Sequence, residues 1–86
     1  MTGVIDALRG LCEDSPVTTG LLSSLDEATV EFRDNGGGLG EAQRAFSAAR
    51  MRHMDSFKPG RAGDAREAWS AVVRTARDLA DALEAS

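Results

Sequence analysis

Asp64-Ala65-Arg66-Glu67-Ala68-Trp69-Ser70-Ala71-Val72-Val73-Arg74-Thr75-Ala76-Arg77-Asp78-Leu79-Ala80-Asp81-Ala82-Leu83-Glu84-Ala85 is the stretch whose reading decides the fold. Projected at 100° per residue, its charged side chains from Arg66 to Glu84 fall within one arc of roughly 120°. The other side carries Trp69, Val72, Val73, Leu79 and Leu83 among alanines. The pattern predicts an amphipathic helix with something to pack against.

Ala65, Trp69, Val72, Ala76, Leu79 and Leu83 form a heptad-like seam of alternating small and large residues, suited to close helix approach. The full apolar arc is about 200° wide, twice the roughly 100° stripe of a helix covering one core. One neighbour cannot cover that. Either the helix lies between two others, or its outer strip (Ala68, Ala71, Val73, Ala80, Ala82) meets a second molecule. Trp69 is the expected energetic anchor in both cases.

Outward from this helix, three more follow. Val4, Ile5, Leu8, Leu11 and Cys12 share a face, predicting a short helix 1 over about 3–13. Gly3 and Gly10 weaken it, so it is expected to be the most mobile helix and the least costly to remove. Ser15-Pro16 reads as an N-cap followed by proline at the first helical position. From there Val17, Leu21, Leu22, Leu25, Ala28 and Phe32 predict a long helix 2 over about 16–34, although Ser24 to Glu27 also fits a capping box and a later start. Asn35-Gly36-Gly37-Gly38 is the strongest break in the chain and reads as a flexible interhelical loop. Helix 3 runs over about 39–58 with Leu39, Ala42, Phe46, Ala49, His53 and Phe57 on one face. Lys58 to Gly63 ends it, and helix 4 occupies about 64–85. No segment alternates with period 2, so no sheet is expected. The expected architecture is all-α: one domain over 1–86, a small up-and-down bundle of three long helices plus a short N-terminal one.

The totals limit the core. The 86 residues include 14 alanines and only four aromatic residues, Phe32, Phe46, Phe57 and Trp69. A domain of this size buries only about 60–65% of its unfolded surface. Close helix contacts, or a second subunit, must supply the remainder. The single cysteine, Cys12, excludes an internal disulfide framework and a multi-cysteine zinc site, and suits a reducing compartment. No basic leader or long apolar run is present, so neither a signal peptide nor a membrane partner is expected, and the setting reads as cytoplasmic. Nine arginines against one lysine, with the alanine excess, point to a GC-rich bacterial genome.

The net charge of −4 is unevenly spread: residues 1–41 carry −6, residues 42–63 carry +4, and residues 64–86 carry −2. The basic block Arg44, Arg50, Arg52, Lys58 and Arg61 is the best case for nucleic acid, but Glu41 and Asp55 dilute it and exposed aromatics for base stacking are not expected. An acidic partner, or the acidic helices of the fold, can complement it equally well. His53 sits in the middle of the apolar face of helix 3 and reads as a core or interface histidine. A catalytic base, a metal ligand or a pH switch is the other reading; catalysis would need an orienting partner and a nucleophile, and metal further ligands, and Asp55 projects to the opposite side. The glycine run lacks the lysine and Ser/Thr of a P-loop, and no strand precedes it. No cofactor or metal site is predicted. Met51 projects among charged residues on helix 3 with Met54 at the rim, a pattern used where a surface repacks against partners.

The alanine-rich helices loosely resemble, in composition alone, the small helical proteins associated with type VII secretion. Their Trp-x-Gly turn is missing: the turn here reads Asn35-Gly36-Gly37-Gly38, and Trp69 precedes Ser70-Ala71 inside a helix. No family is assigned. The function that follows is a small non-enzymatic interaction protein (adaptor, accessory subunit or regulator) that self-associates through helix 4 or docks on a larger protein. Its interaction candidates are Trp69, Val73, Ala80, Met51, Met54, Arg44, Arg52 and Lys58. The alternative is a nucleic-acid-binding regulator using the helix 3 block.

Overall fold

The structure, a computed structural model, describes residues 2–14, 17–57 and 64–85. They form α1 (Thr2–Arg9), α2 (Thr19–Thr29) continued by a 3-10 turn at Val30–Phe32, α3 (Gly38–Asp55) and α4 (Ala65–Ala85). There is no strand among the described residues. The radius of gyration is 12.4 Å, close to the roughly 12 Å of a globular chain of this length, so the helices close on one another.

α4 is covered on both flanks by its own chain. α3 packs along one side and α1 along another. The seam residues Trp69, Val72, Ala76, Leu79 and Leu83 are buried, and so are Ala68, Val73 and Ala80 of the outer strip. Ala71 and Ala82 are half-buried. The width of the apolar arc is therefore explained inside the monomer, and self-association through this strip loses the observation that motivated it.

α1 contributes to the core through the face its apolar spacing predicts. Leu8 and Leu11 are buried in the same cluster as Trp69 and Leu79. Arg9 reaches Asp81 and Glu84, both at 2.8 Å, an exposed set that salt screens. α1 also stops earlier than its apolar pattern implies. Gly10 N–H closes the last turn on Asp6 O at 2.9 Å, and Leu11 to Asp14 turn away along α4. That departure frees the Cys12 carbonyl to serve as an acceptor.

α2 is shorter than the sequence suggests. It begins at Thr19, where Thr18 Oγ1 accepts the Leu21 N–H at 3.3 Å as the N-cap. Ser15-Pro16, read as the start, lies outside the described residues. At the other end the buried Thr29 hydroxyl donates back to the Leu25 and Asp26 carbonyls, competing with the helical ladder just where α2 tightens to 3-10. Of its expected apolar face, Leu22 and Leu25 are buried, but Leu21 and Ala28 are exposed.

α3 starts one residue before Leu39. Gly37 serves as its N-cap at φ 77°, a conformation that favours glycine. Gly40 is needed for a different reason: a Cβ built on it would overlap the Asn35 carbonyl oxygen and approach Arg33 O at 3.1 Å. Here α3 presses directly on the backbone of the preceding turn. At the far end Ser56 caps α3 and Phe57 is 63% exposed. Phe57 was expected in the core; the helix ends at Asp55, and the ring is carried outward past the cap.

Gly40→Ala should therefore destabilise by about 1–3 kcal/mol through overpacking, read as a lowered denaturant midpoint. Gly36→Ala, whose Cβ would meet nothing within 4 Å, should shift the midpoint by less than about 0.5 kcal/mol.

Candidate functional site

Two side-chain assemblies stand out, and each arises where two helices bring together residues far apart in sequence. The first is the corner at which α3 ends and α4 begins. Trp69, one turn into α4, is 3% exposed and donates its indole N–H to the Cys12 carbonyl at 3.0 Å. The His53 ring lies against it with centroids 5.1 Å apart and a 51° tilt. Phe57 meets the other side of His53 edge-on, at 4.9 Å and 76°. The three rings, with Glu13, Ala65 and Arg66, line a groove of about 220 Å³. Ser70 Oγ donates to the Glu13 carboxylate on the adjoining seam.

His53 is 3% exposed, and its Nδ1 is a buried nitrogen without a hydrogen-bond partner. Burial holds its imidazole below the usual value of 6.5, because removal from water disfavours the charged form. The ring thus packs as a neutral aromatic. Among the described residues no three His, Cys, Asp or Glu side chains are grouped so as to hold a metal ion.

The second assembly joins α2 to α3. The Asp26 carboxylate is 8% exposed and is met by three side chains of α3. Gln43 Nε2 donates at 2.8 Å to one oxygen, while Ser47 Oγ at 3.1 Å and Arg50 Nε at 2.9 Å donate to the other. Arg50 adds a second contact at 2.8 Å, making a largely buried ion pair. Apolar periodicity alone misses this assembly. Its signal is polar periodicity: Leu22, Leu25, Asp26 and Thr29 repeat at helical spacing on α2, and Gln43, Ser47 and Arg50 do so on α3. The carboxylate has its donors within the fold, so we read the network as structural.

The interaction candidates divide sharply. Trp69, Val73 and Ala80 lie inside the monomer and offer no free surface. Met51 and Met54 are 55% and 43% exposed. With Phe57 they repeat every three residues at the end of α3, an exposed apolar strip beside the aromatic groove. Among the described residues, the other large exposed apolar side chains are Leu21 and Val30; none belongs to α1 or α4.

Three residues of the basic block lie among the described residues, and each has a partner within the fold. Arg44 donates to the Arg33 carbonyl at 2.6 Å, Arg50 is committed to Asp26, and Arg52 stands 3.6 Å from Glu67. Lys58 and Arg61 lie outside the described residues. Arg44 and Arg52 remain exposed and charged, but each is turned toward the fold's own acceptors.

Asp26→Ala should cost about 3–5 kcal/mol, because it leaves the Arg50 guanidinium buried without its partner. Trp69→Ala should cost a similar 3–5 kcal/mol for the lost aromatic volume. Both are read from chemical denaturation, and either loss is comparable to the whole margin of a domain this size. A change below about 1 kcal/mol in Trp69→Ala would contradict its burial.

No protein-family model, curated protein or solved structure matches this chain, so its function must be argued from its own geometry.

Proposed function

We propose that this chain is a small, non-enzymatic helical interaction protein that docks on a larger protein through the strip Met51, Met54 and Phe57. The observation that carries the reading is that three of the five large exposed apolar side chains among the described residues gather at the end of α3. α4, with the richest apolar pattern, is sealed by α1 and α3, while Met51 and Met54 on α3 and Phe57 just past its cap stand in water three residues apart. Methionine suits such a face because its unbranched, polarizable chain repacks against partners of different shape.

We read the architecture as an up-and-down bundle. Arg52 and His53 at the end of α3 meet Glu67 and Trp69 at the start of α4, while Gly38 and Ala42 share a groove with Asp78 and Ala82. In that arrangement the strip lies at one end of the bundle. Three side chains at about half exposure present on the order of 300 Å² of apolar surface. A stable interface buries roughly 800 Å² on each partner. The strip is therefore an anchor within a larger or transient contact, and too small for a permanent dimer by itself. Among the described residues no helix is long and apolar enough to cross a membrane; the proposed setting is the bacterial cytoplasm.

The double variant Met51→Ser/Met54→Ser tests the face. Its unfolding midpoint should stay within about 0.5 kcal/mol of the parent, while capture of partners from the host should be lost. Full retention of the same partners would show that docking occurs elsewhere. Light scattering over a wide concentration range should find a monomer or a weak, reversible dimer that the same variant abolishes. The nucleic-acid alternative requires binding to duplex or single strands that weakens steeply as salt rises; none is expected.

A further inference from the structure

His53 occupies a position that a charged ring could not keep. It is wedged between Trp69 and Phe57, 97% removed from solvent, with one nitrogen lacking any hydrogen-bond partner. A neutral imidazole tolerates this as a flat aromatic group. An imidazolium carries donors on both nitrogens, and burial without a partner disfavours its charge. We propose that His53 is an acid-sensitive latch: its protonation unseats the ring and opens the corner where α3 ends and α4 begins, leaving the helices intact.

Among the described residues, the charged groups that line the groove offset one another before any proton is added. Glu13, from the turn after α1, lines the groove but is engaged by Ser70. Arg66, from the first turn of α4, lines the same groove with the opposite sign. On its own helix, Arg52 pairs with Glu67, and Asp55 has an interaction of its own. The described lining of the groove thus sums to no net charge before the proton arrives.

The direction of the pH dependence follows from linkage. Burial lowers the closed-state value of His53 below the 6.5 of the free group, so the open form binds the proton more tightly. The closed corner is fully stable above about pH 6.5 and weakens as pH falls through 6.5 toward the lower closed-state value. Opening releases three elements together, because Trp69 ties α4 to Cys12 while His53 and Phe57 tie it to α3. Phe57 also belongs to the proposed docking strip; acid remodelling of that strip rests on the proposed function, whereas the latch does not.

The chain has one tryptophan and one histidine, so each half of the device has its own probe. Trp69 emission and acrylamide quenching are followed from about pH 8 to about pH 5, where histidine is the only side chain with an unperturbed value in range. Far-UV circular dichroism and the His53 Cε1–H resonance are recorded in parallel. The expected result is a red shift and stronger quenching, with helicity retained, at a midpoint that matches a His53 titration below 6.5. In His53→Gln the step should disappear; if that variant does not fold, the resonance in the parent chain decides. The latch is overturned if His53 titrates at or above 6.5. It is equally overturned if the step persists in His53→Gln, if emission and quenching stay constant while His53 titrates, or if helicity is lost at the same midpoint.

Discussion

The structure depends on covering one helix from two sides. α4 presents an apolar arc too wide for a single neighbour, and the chain meets it with α3 on one flank and α1 on another. Most of the core is built from what these three helices bring to that arc: Leu8 and Leu11, Phe46 and Ala49, and the run from Trp69 to Leu83. With 14 alanines in 86 residues, the contribution of each buried side chain is small and close approach carries the packing. Trp69 is the exception. Its ring fills the end of the seam, and its single polar atom is satisfied by a carbonyl that becomes available only because α1 stops at Gly10.

α2 is attached by different physics. It brings Leu22 and Leu25 to the core, and beside them a buried carboxylate that three α3 side chains must satisfy. Such a network adds little net stability over a well-packed apolar contact, but it is costly to break. It also sets the register of α2 on α3, since a shift by one residue would leave Asp26 and Arg50 buried apart. Apolar packing thus fixes α4, while polar pairing fixes α2.

These two mechanisms account for what could be read from the sequence and what could not. α3 and α4 were legible because one face of each carries most of its large apolar residues, and the glycine run between α2 and α3 marks the break plainly. The wide arc of α4 posed the right question, a second helix or a second molecule, without answering it; the answer lies in Leu8 and Leu11, whose burial depends on the tertiary fold. The Asp26–Arg50 pair was missed because Asp26 was read only within a capping box and Arg50 only within the basic block, although their spacing on α2 and α3 matched the buried faces. Phe57 was misplaced because its period continues that of α3 although the helix stops at Asp55. At the candidate site, Met51 and Met54 could be placed from their position on the polar side of α3. The ring stack of His53 on Trp69 could not, since it joins residues on different helices.

Seclusion of α4 moves the functional question to the end of α3, and everything proposed about that surface assumes that α4 is closed by its own chain. Amide hydrogen exchange across α4 at low and high protein concentration tests this most directly. The slowest amides should lie between Val72 and Ala80, with rates that do not change with concentration. Fast exchange there, or protection that rises with concentration, would show that a second molecule covers the flank assigned here to α1.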